Sequence, residues 1–372
     1  MRLRHRFTRV AADKGVPPQG FFLNGELRIM SRNKHPVLIF VCLLLFTTAC
    51  VTTQTQGTRP PEEKAFSQDT IFRSSDYIVY VLKGDETPGS IAEKFLGDSG
   101  KAWIIEDSNE GIPFEKGQPI AIPLQAENRA GLSPDGYQVV PVLCYHDFAK
   151  TCKSSLCVPE LLFEDQMKYL KENNYRVITL GELLEFLEYK EPIPKRSVVI
   201  TIDDGYRSTY DLVYPIMKRY GFRATLFIYT AFVGASRNAV KWEQLREMKD
   251  YGFEIGSHTI GHIDLTKRLP AEDDEAYLQR ITREIKGSKE ILDGKLEQKT
   301  DTLAFPYGKF NKDVLDLVSK AGYRVGVSVK RGGNPLFADP LQLRRTQILK
   351  ADMESFTGSI KTFQEALLGE KL

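Results

Sequence analysis

Val198-Val199-Ile200-Thr201-Ile202-Asp203-Asp204-Gly205 sets five apolar or β-branched residues directly before two adjacent acids and a glycine. Such a short run with no polar alternation reads as a strand buried on both faces. Ser208 to Tyr220 follows with helical spacing, and the same alternation extends in both directions. Upstream lie a strand at Val139 to Tyr145, a helix at Leu161 to Asn173, a strand at Arg176 to Leu180 and a helix at Glu182 to Tyr189. Downstream come the strand Ala224 to Tyr229, the helix Trp242 to Tyr251, the strand Phe253 to Ile255 and the helix Glu284 to Leu292. The strand Leu303 to Phe305, the helix Asp313 to Ala321 and the strand Tyr323 to Val327 complete the series. Repeated βα units imply a parallel sheet, and this many in about 230 residues predict an α/β fold, a distorted (β/α) barrel of about seven units. Barrel chemistry sits at the C-terminal ends of strands, so those ends are where functional residues are sought.

Asp203 and Asp204 occupy one such end. Two neighbouring carboxylates there repel each other and lose solvation unless a cation or a donor compensates. A turn that caps the next helix accounts for one of them but not for both. A second strand ends in Gly256-Ser257-His258-Thr259-Ile260-Gly261-His262. Two of the chain's five histidines thus stand four residues apart, and neutral imidazole is the commonest zinc ligand. Asp204, His258 and His262 would supply three protein ligands and leave a position for water, the arrangement of a catalytic metal site. A third strand end carries Pro306-Tyr307-Gly308, which taken alone reads as a plain turn.

Taken in this order, Thr201-Ile202-Asp203-Asp204-Gly205, His258-Thr259-Ile260-Gly261-His262 and Ala304-Phe305-Pro306-Tyr307-Gly308 resemble the polysaccharide deacetylase family, carbohydrate esterase family 4 with its NodB-type homology domain. The resemblance covers residues 137 to about 350. It implies that Asp203 is the general base, that Asp204, His258 and His262 hold a divalent metal, Zn2+ first with Co2+ or Ni2+ as alternatives, and that Pro306 and Tyr307 border the substrate and the oxyanion. Two of the family's residues have no counterpart by position. The Arg that normally precedes Pro-Tyr and orients the base is absent, and residues 341–356 contain no His to act as general acid. Lys350 is the nearest titratable substitute there. His146, in Leu143-Cys144-Tyr145-His146-Asp147 at the end of the first strand, is the other candidate to position substrate or protonate the leaving amine. A structural His hydrogen-bonded beside Asp147 is the competing reading. This variant of the third motif resembles the subgroup acting on exported poly-N-acetylglucosamine.

The N-terminal third is organised differently. Residues 1–49 carry eight Lys/Arg and two Asp/Glu, a local charge of +6 against +2 for the whole chain, so the remainder is −4. A mildly acidic body argues against nucleic acid as a partner. Pro36 to Phe46 is a single apolar run that ends in Thr47-Thr48-Ala49-Cys50. Positive stretch, short apolar core and small residues form a secretory signal, and the core is shorter than the ~20 residues of a membrane span. Cys50 after small residues resembles a bacterial lipoprotein signal, which implies export, a lipid on Cys50 and a place in the cell envelope. Met30 before Ser-Arg-Asn-Lys-His offers a compact alternative start. Residues 50–76 read as a polar tether. Residues 77–124 have β-helix-helix-β order and resemble a LysM glycan-binding module through Gly84-Asp85, Ile91-Ala92, Trp103, Asn109 and Gly117 with Ile120 to Pro123, while Glu86 and Pro88 depart from its usual first loop. Residues 125–136 are a polar linker, and 137–372 form the deacetylase-like domain. Cys152 and Cys157 flank a short polar segment and are expected to pair in an exported protein, with Cys144 a buried thiol.

Three functions follow from these readings. One is an N-deacetylase on peptidoglycan or poly-N-acetylglucosamine, another an O-acetyl polysaccharide esterase of acetyl xylan type. The third is a glycan-binding surface lipoprotein whose catalysis is weakened by the missing Arg and His.

Overall fold

A computed structural model describes residues 70–125, 128–349 and 352–366. The expected signal segment, Met30, Cys50 and Lys350 lie outside the described residues. The small N-terminal unit holds strands β1 (Thr70–Arg73), β2 (Tyr77–Val81) and β3 (Pro119–Pro123) in one antiparallel sheet of order β1-β2-β3. Helices α1 (Pro88–Leu96) and α2 (Ala102–Ser108) connect β2 to β3. Ile78, Tyr80, Ile91, Ile105, Ile120 and Ile122 are buried together between sheet and helices. Thr87 caps α1 through the Ser90 N–H, and Pro88 takes the first helical position, where its missing donor is no loss. Glu86 turns inward and accepts hydrogen bonds from the Tyr80 hydroxyl (2.7 Å) and the Lys83 N–H (2.9 Å).

Two boundaries differ from those expected. Thr70–Arg73, assigned above to the tether, is a strand, because its β-branched and aromatic residues give β2 an edge partner and Phe72 meets the Tyr77 ring at 5.5 Å. The expected linker contains a hairpin, Leu132–Ser133 with Gly136–Gln138, to which Phe363–Glu365 adds a third strand. A Cβ at Gly136 would stand 2.2 Å from the Gln364 carbonyl, so only glycine admits this approach.

The larger unit follows the expected alternation. Its strands are β4 (Val140–Tyr145), β5 (Arg176–Ile178), β6 (Ser197–Asp204), β7 (Thr225–Ile228), β8 (Glu254–Ser257), β9 (Thr302–Ala304), β10 (Val325–Val327) and β11 (Thr346–Gln347). The parallel row runs β10-β9-β8-β7-β6-β4-β11, and β5 pairs with the start of β6. Leu343 bridges Val327 in parallel while Thr346 pairs with Leu143, so the segment before β11 joins the two ends of a curled sheet. Eight parallel strands result, the seven expected from the sequence and the short β11 besides. Helices α3 (Glu160–Glu172), α4 (Leu180–Leu187), α5 (Tyr214–Tyr220), α6 (Trp242–Tyr251), α7 (Asp274–Leu296) and α8 (Lys312–Lys320) fall between strands.

The helix expected to start at Glu284 begins ten residues earlier, capped by Asp273 on the Ala276 N–H. Its buried stripe runs Tyr277, Ile281, Ile285, Ser288, Leu292 and Leu296, one side of a helix at three- and four-residue steps. The segment expected to continue from Ser208 as α-helix opens instead with a π-type turn at Thr209–Val213. Parallel register fixes what matters next. Asp204 pairs with Ile228, Ile228 with Ser257 and Ser257 with Leu303, so three strand ends finish level.

Candidate active site and metal centre

At the end of β6 the Asp203 side chain is buried (2% exposed) and that of Asp204 is 13% exposed. Successive strand residues face opposite sides. The chain breaks that rule by entering the left-handed region at Asp204 (φ 76°) and Gly205 (φ 88°). Non-glycine residues there carry about 1–3 kcal/mol of strain, which surrounding structure must offset. His258 follows β8 and is held through its ring, Nδ1 donating to the Ala304 carbonyl at 2.7 Å. A carbonyl only accepts, so this bond puts the proton on Nδ1 and leaves the Nε2 lone pair free to ligate. That Nε2 lies 3.7 Å from Asp204 Oδ1, and His262 Nε2 lies 3.6 Å from the same oxygen.

The donor atoms of Asp204, His258 and His262 all fall within 4.8 Å of one another. Bonds of ~2.1 Å to one tetrahedral cation would set its ligands roughly 3.4 Å apart, so the set fits a single small divalent ion. Charge points the same way. Burial, followed by the charge of Asp203, pushes the Asp204 carboxyl up to about 6, the response of a carboxylate that lacks a counter-charge. Burial pulls His258 down to about 4 and also lowers His262, so both imidazoles stay neutral and ready to ligate at neutral pH.

The loop between the two histidines is anchored from outside. Thr259 (φ 70°) and His262 (φ 54°) are both left-handed, and Thr259 Oγ1 accepts the His262 N–H at 3.0 Å. Glu284 on α7 accepts the N–H groups of Ile260 (3.0 Å) and Gly261 (2.8 Å) with one oxygen. Glu284→Ala should therefore weaken metal binding about ten- to hundredfold, the usual effect of losing a group that orients a ligand. Glu284→Gln, which keeps an acceptor, should lose less. Titration with a chelating indicator would check this, and equal affinity in all three proteins would show the loop needs no such anchor.

The Arg that the third motif lacks is supplied from elsewhere. Arg345, in the segment before β11, is fully buried and grips Asp203 with both arms, Nη1 to Oδ1 and Nη2 to Oδ2, each at 2.7 Å. Its Nε donates to the Ser328 carbonyl (2.8 Å), and Nη1 also reaches Thr201 Oγ1 (3.0 Å). Thr201 passes its own proton to the Leu143 carbonyl (2.7 Å), so the guanidinium is fixed on three sides. Burial alone would raise the Asp203 pKa. Arg345 first, then His258, more than offset it and hold Asp203 well below the usual carboxylate range. The expectation of a missing Arg holds only for the motif's own position. The one sequence signal was a basic pair, Arg344-Arg345, between Leu343 and an apolar Ile348, and a pattern of that kind does not name a partner.

His146 stands at the end of β4, 9% exposed, in a cluster with Cys144 and Asp203. Its Nδ1 has no hydrogen-bond partner among the described residues. Asp147 Oδ1 is instead used by Ser208 Oγ (2.7 Å) and the Phe148 N–H (2.8 Å). Cys152 and Cys157 are bonded to each other, just beyond this strand, and Cys144 is a buried free thiol. Pro306 is buried, whereas Tyr307 (φ 58°, 57% exposed) leans its ring over His262 at 4.8 Å. Beside His262 there is also an aromatic cluster that the motifs did not reveal. Tyr229 meets His262 at 5.5 Å, Phe232 stacks on Tyr229 at 5.0 Å, and Tyr206 abuts Phe232 at 5.6 Å.

With this geometry established, comparison with known proteins places it. The family model described as polysaccharide deacetylase matches residues 190–326, which include Asp203, Asp204, His258, His262, Pro306 and Tyr307. The Bacillus subtilis protein YxkH is 34% identical over 193 residues, 52% of this chain and 65% of that protein. The poly-β-1,6-N-acetyl-D-glucosamine N-deacetylase of Staphylococcus aureus is 33% identical over 178 residues, 46% of this chain and 61% of the enzyme. The chain thus spans just under two thirds of either relative's length. Among solved structures, the Streptococcus pyogenes deacetylase PplD in complex with acetate is 28% identical with a TM-score of 0.55, the match covering 60% of this chain and 98% of that one. IcaB from Ammonifex degensii, 22% identical with a TM-score of 0.54, shares the fold. Residues 190–326 of this chain thus resemble polysaccharide deacetylases, and the larger unit shares its fold with solved deacetylase structures.

Proposed function

We propose that the chain is a metal-dependent hydrolase that removes N-acetyl groups from N-acetylglucosamine residues of an exported glycan, poly-β-1,6-N-acetylglucosamine before peptidoglycan. The observation that carries this reading is the joint placement of a buried, Arg-gripped carboxylate and a His-His-Asp ligand set at adjoining strand ends. The Staphylococcus aureus relative, named for that polymer, favours it as substrate.

A divalent ion on Asp204, His258 and His262, zinc for preference, would polarise the acetyl carbonyl and lower the pKa of water beside it. Asp203 accepts the water proton in this mechanism, its carboxylate aimed by Arg345. A backbone N–H near Tyr307 faces the developing oxyanion, where one fixed donor contributes about 3–4 kcal/mol. His146, with its unpartnered Nδ1, returns a proton to the leaving amine. An amine is a poor leaving group until protonated, so the missing family His needs such a substitute. His146→Gln should lower turnover roughly a hundredfold with metal content unchanged. Unaltered turnover would leave the acid unassigned.

Metal binding should weaken in acid with a definite slope. The cation binds the ionised Asp204 carboxylate, and protons compete as pH falls through about 6, whereas His258 stays neutral down to about 4. Affinity should then fall about fivefold from pH 6 to pH 5, with close to one proton released per ion bound at pH 5. Calorimetry in two buffers of different ionisation heat measures that number. Two protons, or none, would contradict the assignment of Asp204 as the titrating ligand.

The small unit is read as a LysM-like module that holds the chain on glycan. Its supports are the β2-α1-α2-β3 order and Asn109, a buried side chain that cross-links α2 to β3 by bonding both the N–H and the carbonyl of Ala121. Export and a lipid on Cys50 complete the reading, and no helix of the described residues is long and apolar enough to cross a membrane. Acetate release by the purified protein from poly-β-1,6-N-acetylglucosamine, peptidoglycan and acetylated xylan decides the matter. Release from xylan alone would replace the proposal with an esterase, and release from none would leave a binding protein.

A further inference from the structure

Cys144 has no part in the chemistry described so far, yet it touches the centre of it. Its side chain is fully buried on β4 with Sγ 3.5 Å from Asp203 Oδ2. The donor atoms of Cys144, His146 and Asp203 lie within 4.8 Å of one another. His146 brings the second observation, a nine-tenths buried ring whose Nδ1 finds no partner among the described residues. A buried imidazole nitrogen without a bond is costly to leave so, and a bound cation would satisfy it.

We propose that Cys144, His146 and Asp203 form a second, inhibitory cation site that takes a thiophilic divalent ion such as Cd2+ or excess Zn2+. Sulfur, nitrogen and oxygen donors at this spacing suit ions of that class. Arg345 already balances the charge of Asp203, so an ion bound there meets a guanidinium at close range. Only a thiolate supplies the compensating charge, which selects soft cations over Mg2+ or Ca2+. Binding forms bonds from the ion to Sγ, to a ring nitrogen and to a carboxylate oxygen, and the single proton of the Cys144 thiol leaves to solvent. Nothing is oxidised or reduced. An ion so placed withdraws Asp203 and His146 together, while Asp204, His258 and His262 keep theirs.

The loss of turnover rests on the deacetylase reading, but the binding itself does not, and the test separates them. Cadmium is added to full-length protein preloaded with one equivalent of zinc, and the ultraviolet thiolate-to-cadmium absorption is followed beside acetate release. The wild type should develop that absorption and lose turnover with one shared midpoint. Cys144→Ser should keep its turnover without cadmium, lack that increment of absorption, and tolerate about ten- to hundredfold more cadmium. The Asp204, His258, His262 set has no thiolate, so exchange of zinc there gives no such signal. Cys144→Ala, expected to behave the same way, covers the case in which a buried serine hydroxyl unfolds the strand. Equal cadmium sensitivity in wild type and variant, or inhibition without the absorption, would overturn the site. If no glycan is hydrolysed at all, the absorption difference still decides it.

Discussion

Arg345→Met should abolish turnover and destabilise the domain by about 3–5 kcal/mol at neutral pH. The guanidinium is completely buried and makes four hydrogen bonds, two of them to Asp203. Its removal strands a carboxylate that is itself only 2% exposed. Asp203 then has two poor options, protonation, which ends its use as a base at pH 7, or an uncompensated charge that nothing holds in aim at the water. The pH dependence identifies the cause. In the wild type the Asp203 pKa is depressed, so its contribution to stability is present above the unfolded value near 3.9 and is lost only as pH falls through the lower folded value. In Arg345→Met the carboxyl is raised by burial, so the deficit should be small at pH 4 and widen as pH rises toward 7. Urea denaturation at pH 4.5 and 7.5 checks this, and a deficit that is the same at both would mean lost packing, not a stranded charge. Arg345→Lys should not rescue activity, because an ammonium cannot meet both carboxylate oxygens while reaching the Ser328 carbonyl.

That residue also marks where sequence reading ran out. The strand ends were legible because their signals are local. An apolar run meeting Asp203-Asp204, or Glu254–Ser257 meeting His258, is visible within a dozen residues, and parallel register brings those ends level. Arg345 pairs with Asp203 across 142 positions, and nothing in a short window announces a contact of that range. Glu284 was likewise read as part of an amphipathic helix, since its bond to the Ile260 and Gly261 N–H groups depends on how α7 lies against the metal loop. The aromatic cluster of Tyr229, Phe232 and Tyr206 lies just past strand ends and on loops, where period alone does not say which rings meet. His146 shows the intermediate case. Its strand-end position was readable, but the unpartnered Nδ1 and the thiol beside it were not.

Asp203→Asn should retain metal and lose turnover by at least a hundredfold, and up to about ten thousandfold if no other group takes the water proton. The ligand set does not include Asp203, so cobalt or zinc stoichiometry should stay at one. Arg345 sharpens this prediction with a thermodynamic one. An amide presents one acceptor and one donor where the guanidinium offers two donors, so one arm of Arg345 faces an N–H and its charge stays uncompensated. Asp203→Asn should therefore unfold earlier as well, by about 3 kcal/mol or more. Combining it with Arg345→Met removes both charges at once. The double variant should be more stable than either single one, with an interaction energy well above the ~0.5 kcal/mol scatter of independent sites. Its turnover should be no worse than that of Asp203→Asn alone, because the guanidinium acts on the reaction only through the carboxylate it holds. A double variant whose stability loss equals the sum of the two single losses would mean that the pair is not the unit the geometry describes. Turnover that falls further in the double variant would instead give Arg345 a contact with substrate of its own.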